Sequence, residues 1–191
     1  LEKINYRDFP NRKKKALAEG RYIGIGIGNY VEGTGLGPFE GATVRIGPSG
    51  NIFVMSGAAP QGQGHKTTMA QIVAEKFGVG LEDVEVVLAD TSRIAQGVGT
   101  FASRSAANAM PSVHLAALEV RAKAIKAASH LLEAAEEDIE IEEGKVFVRG
   151  VPEMSITLAQ LAHQVAGAPG FALPEGIDPG LEATHYFSPS Q

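Results

Sequence analysis

The chain has 191 residues, of which 44% are hydrophobic and 20% are charged, which is typical of a globular protein with a buried core. Its formal net charge of −5 gives no support to a nucleic-acid surface, which usually needs a basic face, so we expect no nucleic-acid partner. The lack of cysteine excludes disulfides and thiolate metal ligands, and no apolar run approaches the ~20 residues that span a bilayer, so we expect no membrane span.

The first elements predicted along the chain are a short helix and a strand. The residues from Pro10 to Gly20 predict a helix, with Gly20 placed to end it. In the following run, YIGIGIG, isoleucines alternate with glycines, and this period of two predicts a strand. Because these glycines lie within the strand and no helix follows, we reject the dinucleotide-binding fingerprint that they partly imitate.

The central part of the chain predicts a hairpin, a helix, a strand and a long helix. The run GATVRIGPSGNIFVMSG contains two strands that turn at Pro48–Asn51. Apolar residues at helical spacing between residues 65 and 77 predict a helix that Gly78 ends. VEVVLAD predicts a buried strand, and the alanine-rich residues from about Ser105 to Ala135 predict the long helix, with Pro111 near its first turns.

The C-terminal part predicts a second hairpin, a short helix and an irregular arm. DIEIEEGKVFVRG turns at Glu143–Gly144, and Thr157 with Gln160 predicts a capping box that opens the helix. From about Ala168 proline and glycine predict the irregular arm, and LEATHYF suggests a last strand whose partners are missing. Together the elements predict one α+β domain over residues 1–191, with a mainly antiparallel sheet, one long helix and shorter helices.

A polar, glycine-rich segment, Gln61-Gly62-Gln63-Gly64-His65, lies at the junction between a strand and a helix. A helix start offers unpaired backbone N–H groups and about half a positive charge from the macrodipole, and both favour an anion. The simplest interpretation of the segment is a tight turn that needs glycine. Two glutamines and a histidine packed between the glycines favour a binding loop instead.

The phosphate loop of an NTP-binding protein is an alternative for this segment. Such a loop needs Gly, four residues and then Gly-Lys-Ser/Thr, and Gly57 and Gly62 have the spacing of the two glycines. However, Gln63 stands where the lysine must be, and Lys66 comes three residues late. The preceding strands also predict hairpins rather than the parallel βαβ unit of such proteins.

A second segment, GVGTFASRSAANA from Gly97 to Ala109, also leads into a helix. Thr100, Ser103 and Ser105 bring hydroxyl groups to that helix start, and the Arg104 guanidinium suits bidentate phosphate binding. Taken alone, ASRS is typical of a helix N-cap with a surface arginine. Two polar helix starts in one small domain favour a single extended ligand held at both ends.

In this order and separation, GAAPQGQGHKTTMAQIVAEKFGV and GVGTFASRSAANA resemble the molybdopterin-binding large subunit of the xanthine dehydrogenase/aldehyde oxidase family, and in particular its carbon monoxide dehydrogenase-like branch. GIGIGNYVEGTGLGPFEGATV and GLEATHYF resemble that subunit too, so the likeness runs from about Arg21 to Phe187. We therefore expect a fragment of a large subunit. Because the first residues have no signal-peptide layout, we also expect a cytoplasmic protein.

The resemblance implies an oxidoreductase of the molybdenum hydroxylase type, acting on a small molecule such as an aldehyde, an N-heterocycle or a CO-like substrate. It implies molybdopterin cytosine dinucleotide with molybdenum as the cofactor, and iron–sulfur clusters and FAD in partner subunits or domains. The implied protein partners are the remainder of the large subunit, an iron–sulfur subunit and a flavin subunit. The implied cofactor-binding residues are Gln61, Gly62, Gln63, Gly64, His65, Thr100, Phe101, Ala102, Ser103, Arg104 and Ser105.

The resemblance assigns no catalytic residue to this chain. The family's catalytic glutamate lies in a GEP-type motif, which this sequence lacks. We therefore expect the fragment to be inactive by itself, and we expect no metal ligands among its scattered histidines. Two alternatives stay open, a divergent P-loop-like NTP-binding domain and a non-catalytic scaffold or subunit-interaction domain.

Overall fold

The computed structural model describes residues 1–189, and the chain divides into a unit of residues 1–32 and a unit that begins at Gly33. The first unit contains the helix α1 (Phe9–Ala18), which confirms the predicted N-terminal helix. The strand predicted in YIGIGIG does not form, and Tyr22, Tyr30 and Val31 are 85–100% exposed. An alternating pattern describes the two faces of a strand, but its backbone groups also need a hydrogen-bonding neighbour, which this segment lacks within the described residues.

Over the described residues, the second unit contains seven strands and three α-helices. In chain order its elements are β1 (Glu40–Ile46), β2 (Ile52–Ser56), α2 (His65–Phe77), β3 (Val84–Leu88), α3 (Met110–Leu131), β4 (Ile139–Glu142), β5 (Lys145–Val148), β6 (Val151–Thr157), α4 (Leu158–Val165) and β7 (Leu181–Phe187). A π-helical turn, Ser105–Ala109, leads into α3. The long helix was predicted to reach about Ala135, but α3 ends at Leu131 and Glu133 has a φ of +52°.

The main sheet has the strand order β3-β2-β1-β7. β1 and β2 form the predicted hairpin, with Ala42 opposite Ser56. β7 also pairs with β1 in the antiparallel sense, so the expectation that the partners of LEATHYF are missing is wrong. β2 and β3 run parallel and α2 connects them, which corrects the expectation of hairpins alone around the first glycine segment. The prediction of an α+β fold with a mainly antiparallel sheet is confirmed.

A smaller sheet has the order β4-β5-β6. Its first hairpin was predicted, and both residues of its turn, Glu143 and Gly144, have positive φ. β6 was not predicted, because its residues are mostly exposed and include Pro152, so the sequence carries no alternation of buried and exposed positions. The predicted capping box is confirmed, since Thr157 Oγ1 accepts from the Gln160 N–H and Gln160 Oε1 accepts from the Thr157 N–H.

The core lies where α2 and α3 cover one face of the main sheet. Met69, Val73 and Phe77 from α2 are fully buried there. The buried face of α3 is rich in alanine, which allows the helix backbone to approach its neighbours closely. After α4 the residues from 168 to 180 form neither helix nor strand, and the last two residues of the predicted arm lie outside the described residues. In the described part of the chain, no helix is long and apolar enough to cross a membrane.

Candidate functional site

Two loops leave the same end of the main sheet. The first loop, residues 57–64, connects β2 to α2, and the second loop, residues 89–104, connects β3 to the π-helical turn before α3. Because β2 and β3 are parallel neighbours, with Ser56 opposite Leu88, both loops begin at adjacent carboxyl ends. In sheets with helical crossovers, ligands bind outside the carboxyl ends of parallel strands.

The two loops touch at Gly57, the first residue of the first loop, and at Gly97, in the middle of the second loop. A Cβ atom built on Gly57 would lie 2.5 Å from the Cα atom of Gly97, and one built on Gly97 would lie 2.6 Å from the Cα atom of Gly57. Real Cβ contacts are not this short, so the approach requires glycine at both positions. The structure therefore brings the two loops that the sequence singled out into contact.

The first loop presents open positions at a helix start. Gly62 and Gly64 have φ angles of +97° and +78°, and a Cβ atom on either would meet nothing within 4 Å. No side chain among the described residues caps the start of α2 at Gly64, whereas a capping box satisfies the start of α4. The first N–H groups of α2 are consequently available to an acceptor outside the helix.

The side chains of the first loop differ in their accessibility. Gln61 and Gln63 are exposed and contact each other, with Gln63 Oε1 2.6 Å from the Gln61 backbone nitrogen. His65, the first residue of α2, is only 6% exposed, and its Nδ1 atom has no hydrogen-bond partner among residues 1–189. Buried polar atoms in native proteins nearly always have a partner, so this nitrogen is a candidate contact for a bound water or a ligand.

The second loop has an unusual backbone just before its helix. Ala102 and Ser103 have φ angles of +46° and +49°, and such residues cost roughly 1–3 kcal/mol of strain each, which proteins tolerate mainly at functional sites. Ala102 and Ser103 are the central residues of a tight turn in which the Arg104 N–H donates to the Phe101 carbonyl. The π-helical turn that follows is also a feature frequent at functional sites. Thr100 Oγ1 lies 3.4 Å from Ser105 Oγ, and the Phe101 ring is half exposed.

Arg104 is turned into the protein and away from solvent. Its side chain is fully buried, and NH1 lies 2.7 Å from Glu40 Oε2 and 2.7 Å from the Gly99 carbonyl. Nε donates to the Leu36 carbonyl and NH2 donates to the Phe39 carbonyl. The guanidinium therefore has no pair of parallel N–H groups free for a phosphate, and the direct bidentate contact expected for Arg104 is wrong for this structure. The membership of Arg104 in the cofactor site stays a prediction.

Glu40, the partner of Arg104, was missed by the sequence reasoning. It is 0% exposed, and its carboxylate accepts hydrogen bonds from the N–H groups of Gly41, Val98 and Gly99. The sequence did carry a signal, because the period of two in β1 places Glu40 on the same face as Ala42, Val44 and Ile46. An acidic residue on a buried strand face needs a charged or hydrogen-bonding partner.

Two other polar residues lie in the second loop or in the π-helical turn that follows it. Asp90 begins the turn after β3, and hydrogen bonds from the Ser92 hydroxyl and N–H lower the pKa of its carboxyl group. Asn108, in the π-helical turn, is 0% exposed, and neither atom of its side-chain amide has a partner among residues 1–189. Over the same described range, no group of three or more His, Asp or Glu side chains could hold a metal ion.

Comparison with known proteins identifies a matching family and several similar proteins. The profile of the family described as molybdopterin cofactor-binding domain matches residues 1–191. The carbon monoxide dehydrogenase large chain of Hydrogenophaga pseudoflava is 38% identical over 178 residues, covering 87% of this chain and 22% of that protein. The nicotine 6-hydroxylase large subunit of Paenarthrobacter nicotinovorans is 35% identical over 202 residues, covering 100% of this chain and 25% of that protein.

Solved structures show the same relationship. Quinoline 2-oxidoreductase from Pseudomonas putida 86 superposes with a TM-score of 0.72 at 39% identity, covering 99% of this chain and 25% of that one. The Cu,Mo-CO dehydrogenase gives a TM-score of 0.71 at 33% identity, covering 98% of this chain and 25% of that one. The chain thus spans about a quarter of the length of the relatives that it matches.

Proposed function

Since the chain belongs to the molybdopterin cofactor-binding domain family, we propose that it is one part of the large subunit of a molybdenum-containing oxidoreductase and that its two loops hold the cofactor. The observation that carries the proposal is the contact between Gly57 and Gly97, which joins two loops that each open a helix. A turn that only reversed the chain would need neither this contact nor two uncapped helix starts.

The residues present fit such a cofactor. Gly62, Gly64 and Gly99 have positive φ and open space where a side chain would stand, which makes room for a bulky ligand against the backbone. The N–H groups at the start of α2 suit an anionic or carbonyl group, and the exposed amides of Gln61 and Gln63 can both donate and accept along the edge of a pterin. The unpaired, buried His65 Nδ1 is a further candidate contact.

The second loop suits the phosphate end of the cofactor. The backbone N–H groups of Ala102 and Ser103 and the hydroxyl groups of Thr100 and Ser105 are the candidate donors. Hydrogen bonds from such groups to a charged acceptor are worth about 1.5–3 kcal/mol each. We propose the cytosine dinucleotide form of molybdopterin, because two separate anchoring loops suit a ligand that is extended by a second nucleotide.

When bound, the molybdenum cofactor supplies the redox chemistry, and this chain supplies binding and orientation. We propose oxidative hydroxylation of an aldehyde, an N-heterocycle or a CO-like substrate, since the names of the relatives include a nicotine hydroxylase, a quinoline oxidoreductase and carbon monoxide dehydrogenases. Iron–sulfur and flavin subunits would accept the electrons, and the complex would be cytoplasmic. The chain contributes no acid or base to the reaction, so alone it would be inactive.

The proposal is tested by measuring cofactor content in the intact subunit. We expect Gln63→Ala and Ser105→Ala each to lower the molybdenum bound per subunit, with Gln71→Ala, an exposed glutamine on the same helix α2, as the matched control. Release of CMP on acid hydrolysis of the purified subunit tests the cytosine dinucleotide form. Full molybdenum occupancy in both loop variants would contradict the proposed site.

A further inference from the structure

A buried ion pair lies directly behind the second loop. Glu40 and Arg104 are 64 residues apart in the sequence, and their side chains are 1% and 0% exposed, with 2.7 Å between Oε2 and NH1. Neither group reaches solvent, so neither contacts a ligand in the open part of the site. Their effect on the site must pass through the backbone that they hold.

The pair holds both ends of the segment that carries the proposed phosphate donors. Glu40 Oε2 accepts from the Gly99 N–H at 2.9 Å and from the Val98 N–H at 3.2 Å, while Arg104 NH1 donates to the Gly99 carbonyl at 2.7 Å. The ion pair therefore holds Gly99 through both its N–H group and its carbonyl group. Only four residues, Thr100 to Ser103, lie between Gly99 and Arg104 in the sequence.

The same pair reaches the other two segments that border the loop. Arg104 Nε donates to the Leu36 carbonyl at 2.9 Å, and Gly35 N–H donates to the Ser103 carbonyl at 3.3 Å. Glu40 Oε1 would be 2.7 Å from a Cβ atom on Gly57, so the carboxylate packs against the base of the first loop as well. One ion pair thus connects the first loop, the second loop and the residues before β1.

We infer that Glu40 and Arg104 are positioning residues, which fix the strained conformation of residues 99–104 so that its N–H and hydroxyl groups face the cofactor. The inference rests on the proposed function for the identity of the ligand. Backbone with positive φ at two successive non-glycine residues persists only where the surroundings impose it, and the pair supplies that constraint. The pair also neutralises the Glu40 charge, which would otherwise repel an anion close to the loop.

A pair that only stabilised the fold would not need hydrogen bonds to the backbone of the second loop. A buried ion pair can often be replaced by apolar side chains without loss of stability, but apolar side chains cannot hold the N–H groups of Val98 and Gly99 or the Gly99 carbonyl. Arginine is required for the same reason, since a lysine ammonium cannot span four acceptors in one plane.

The test compares Glu40→Gln and Arg104→Lys in the intact subunit with Glu140→Gln as the control. Glu140 forms an ion pair with Arg149 over the same 2.7 Å, but both side chains are exposed. Hydrogen exchange of the peptide that covers residues 97–104 is measured by mass spectrometry in cofactor-free protein. Molybdenum content and activity per bound molybdenum are measured in the loaded protein.

We expect exchange of residues 97–104 to rise about tenfold in both variants at short labelling times, at which the peptide of residues 65–77 is still protected by the folded core. We also expect molybdenum content to fall while activity per bound molybdenum stays the same, because neither residue touches reacting atoms. The control should match the parent in every measurement.

Loss of cofactor in Arg104→Lys with unchanged loop exchange would overturn the inference, because it would indicate direct contact of the guanidinium with the ligand. Exchange of residues 97–104 that keeps the parent's rate at short labelling times and rises only together with that of residues 65–77, or failure of both variants to fold, would also overturn it in favour of a purely structural pair. If the parent subunit bound no molybdenum cofactor, the proposed function would fail, but loop exchange in the same variants would still decide whether the pair positions the loop.

Discussion

The contact between Gly57 and Gly97 gives the sharpest prediction about the site. In Gly57→Ala, the new methyl group would lie 2.5 Å from Gly97 Cα and 2.7 Å from Glu40 Oε1, whereas ordinary contacts begin near 3.4 Å. The two loops would have to separate by about 1 Å, and neither obstacle is the far end of a flexible side chain, because one is backbone and the other is a carboxylate held by Arg104.

Overpacking of a buried contact typically costs about 1–3 kcal/mol, and here the displaced carboxylate also accepts hydrogen bonds from Val98 and Gly99. We therefore expect Gly57→Ala to lower the free energy of unfolding by about 2–3 kcal/mol. Urea unfolding followed by circular dichroism measures this change, provided that the m-value stays constant.

Gly24→Ala is the matched control, because a Cβ atom at Gly24 meets nothing within 4 Å and its φ is not in the left-handed region. Its free energy of unfolding should stay within about 0.5 kcal/mol of the parent. A Gly57→Ala variant as stable as the control would refute the close approach of the two loops, on which the proposed site depends.

Three further predictions concern single polar groups. Glu40→Gln leaves the buried Arg104 charge unpaired and should cost about 3–5 kcal/mol, whereas Glu140→Gln on the surface should leave the urea midpoint unchanged; equal effects would contradict this reasoning. Asn108→Leu should not lower the free energy of unfolding of the chain, because its unpaired amide costs about 1–3 kcal/mol when buried; a clear loss of stability would reveal a hidden partner such as a bound water. Because hydrogen bonds from Ser92 lower the pKa of Asp90, the ionised carboxylate stabilises the turn at neutral pH. The urea midpoint of Asp90→Asn should therefore lie below that of the parent at neutral pH, and the difference should vanish as the pH falls through the lowered pKa. A difference that did not depend on pH would exclude this cause.

The features predicted from the sequence are those with a local signal. The turn at Pro48–Asn51, the helix end at Gly78 and the capping box at Thr157 each depend on residues only a few positions apart, and each is present. The two glycine segments were found in the same way, because glycine next to a helix start is a local pattern.

The features that sequence reasoning missed depend on distant partners. β7 pairs with β1, and β2 runs parallel to β3, but nothing within either strand specifies its neighbour. For the same reason Arg104 was predicted to face a phosphate, since its true partner, Glu40, lies 64 residues earlier. The membership of the individual loop residues in the cofactor site stays a prediction.

The pairing of β1 with β7 has a consequence for biosynthesis. Thr43 and Thr184, which face each other across these strands, are 141 residues apart, so one edge of β1 has no neighbour until about 141 further residues have been synthesised. At 5–20 residues per second, this interval lasts roughly 7–28 s. During that time the exposed edge can pair with another nascent polypeptide, so a chaperone that shields it would raise the yield of correctly assembled subunit.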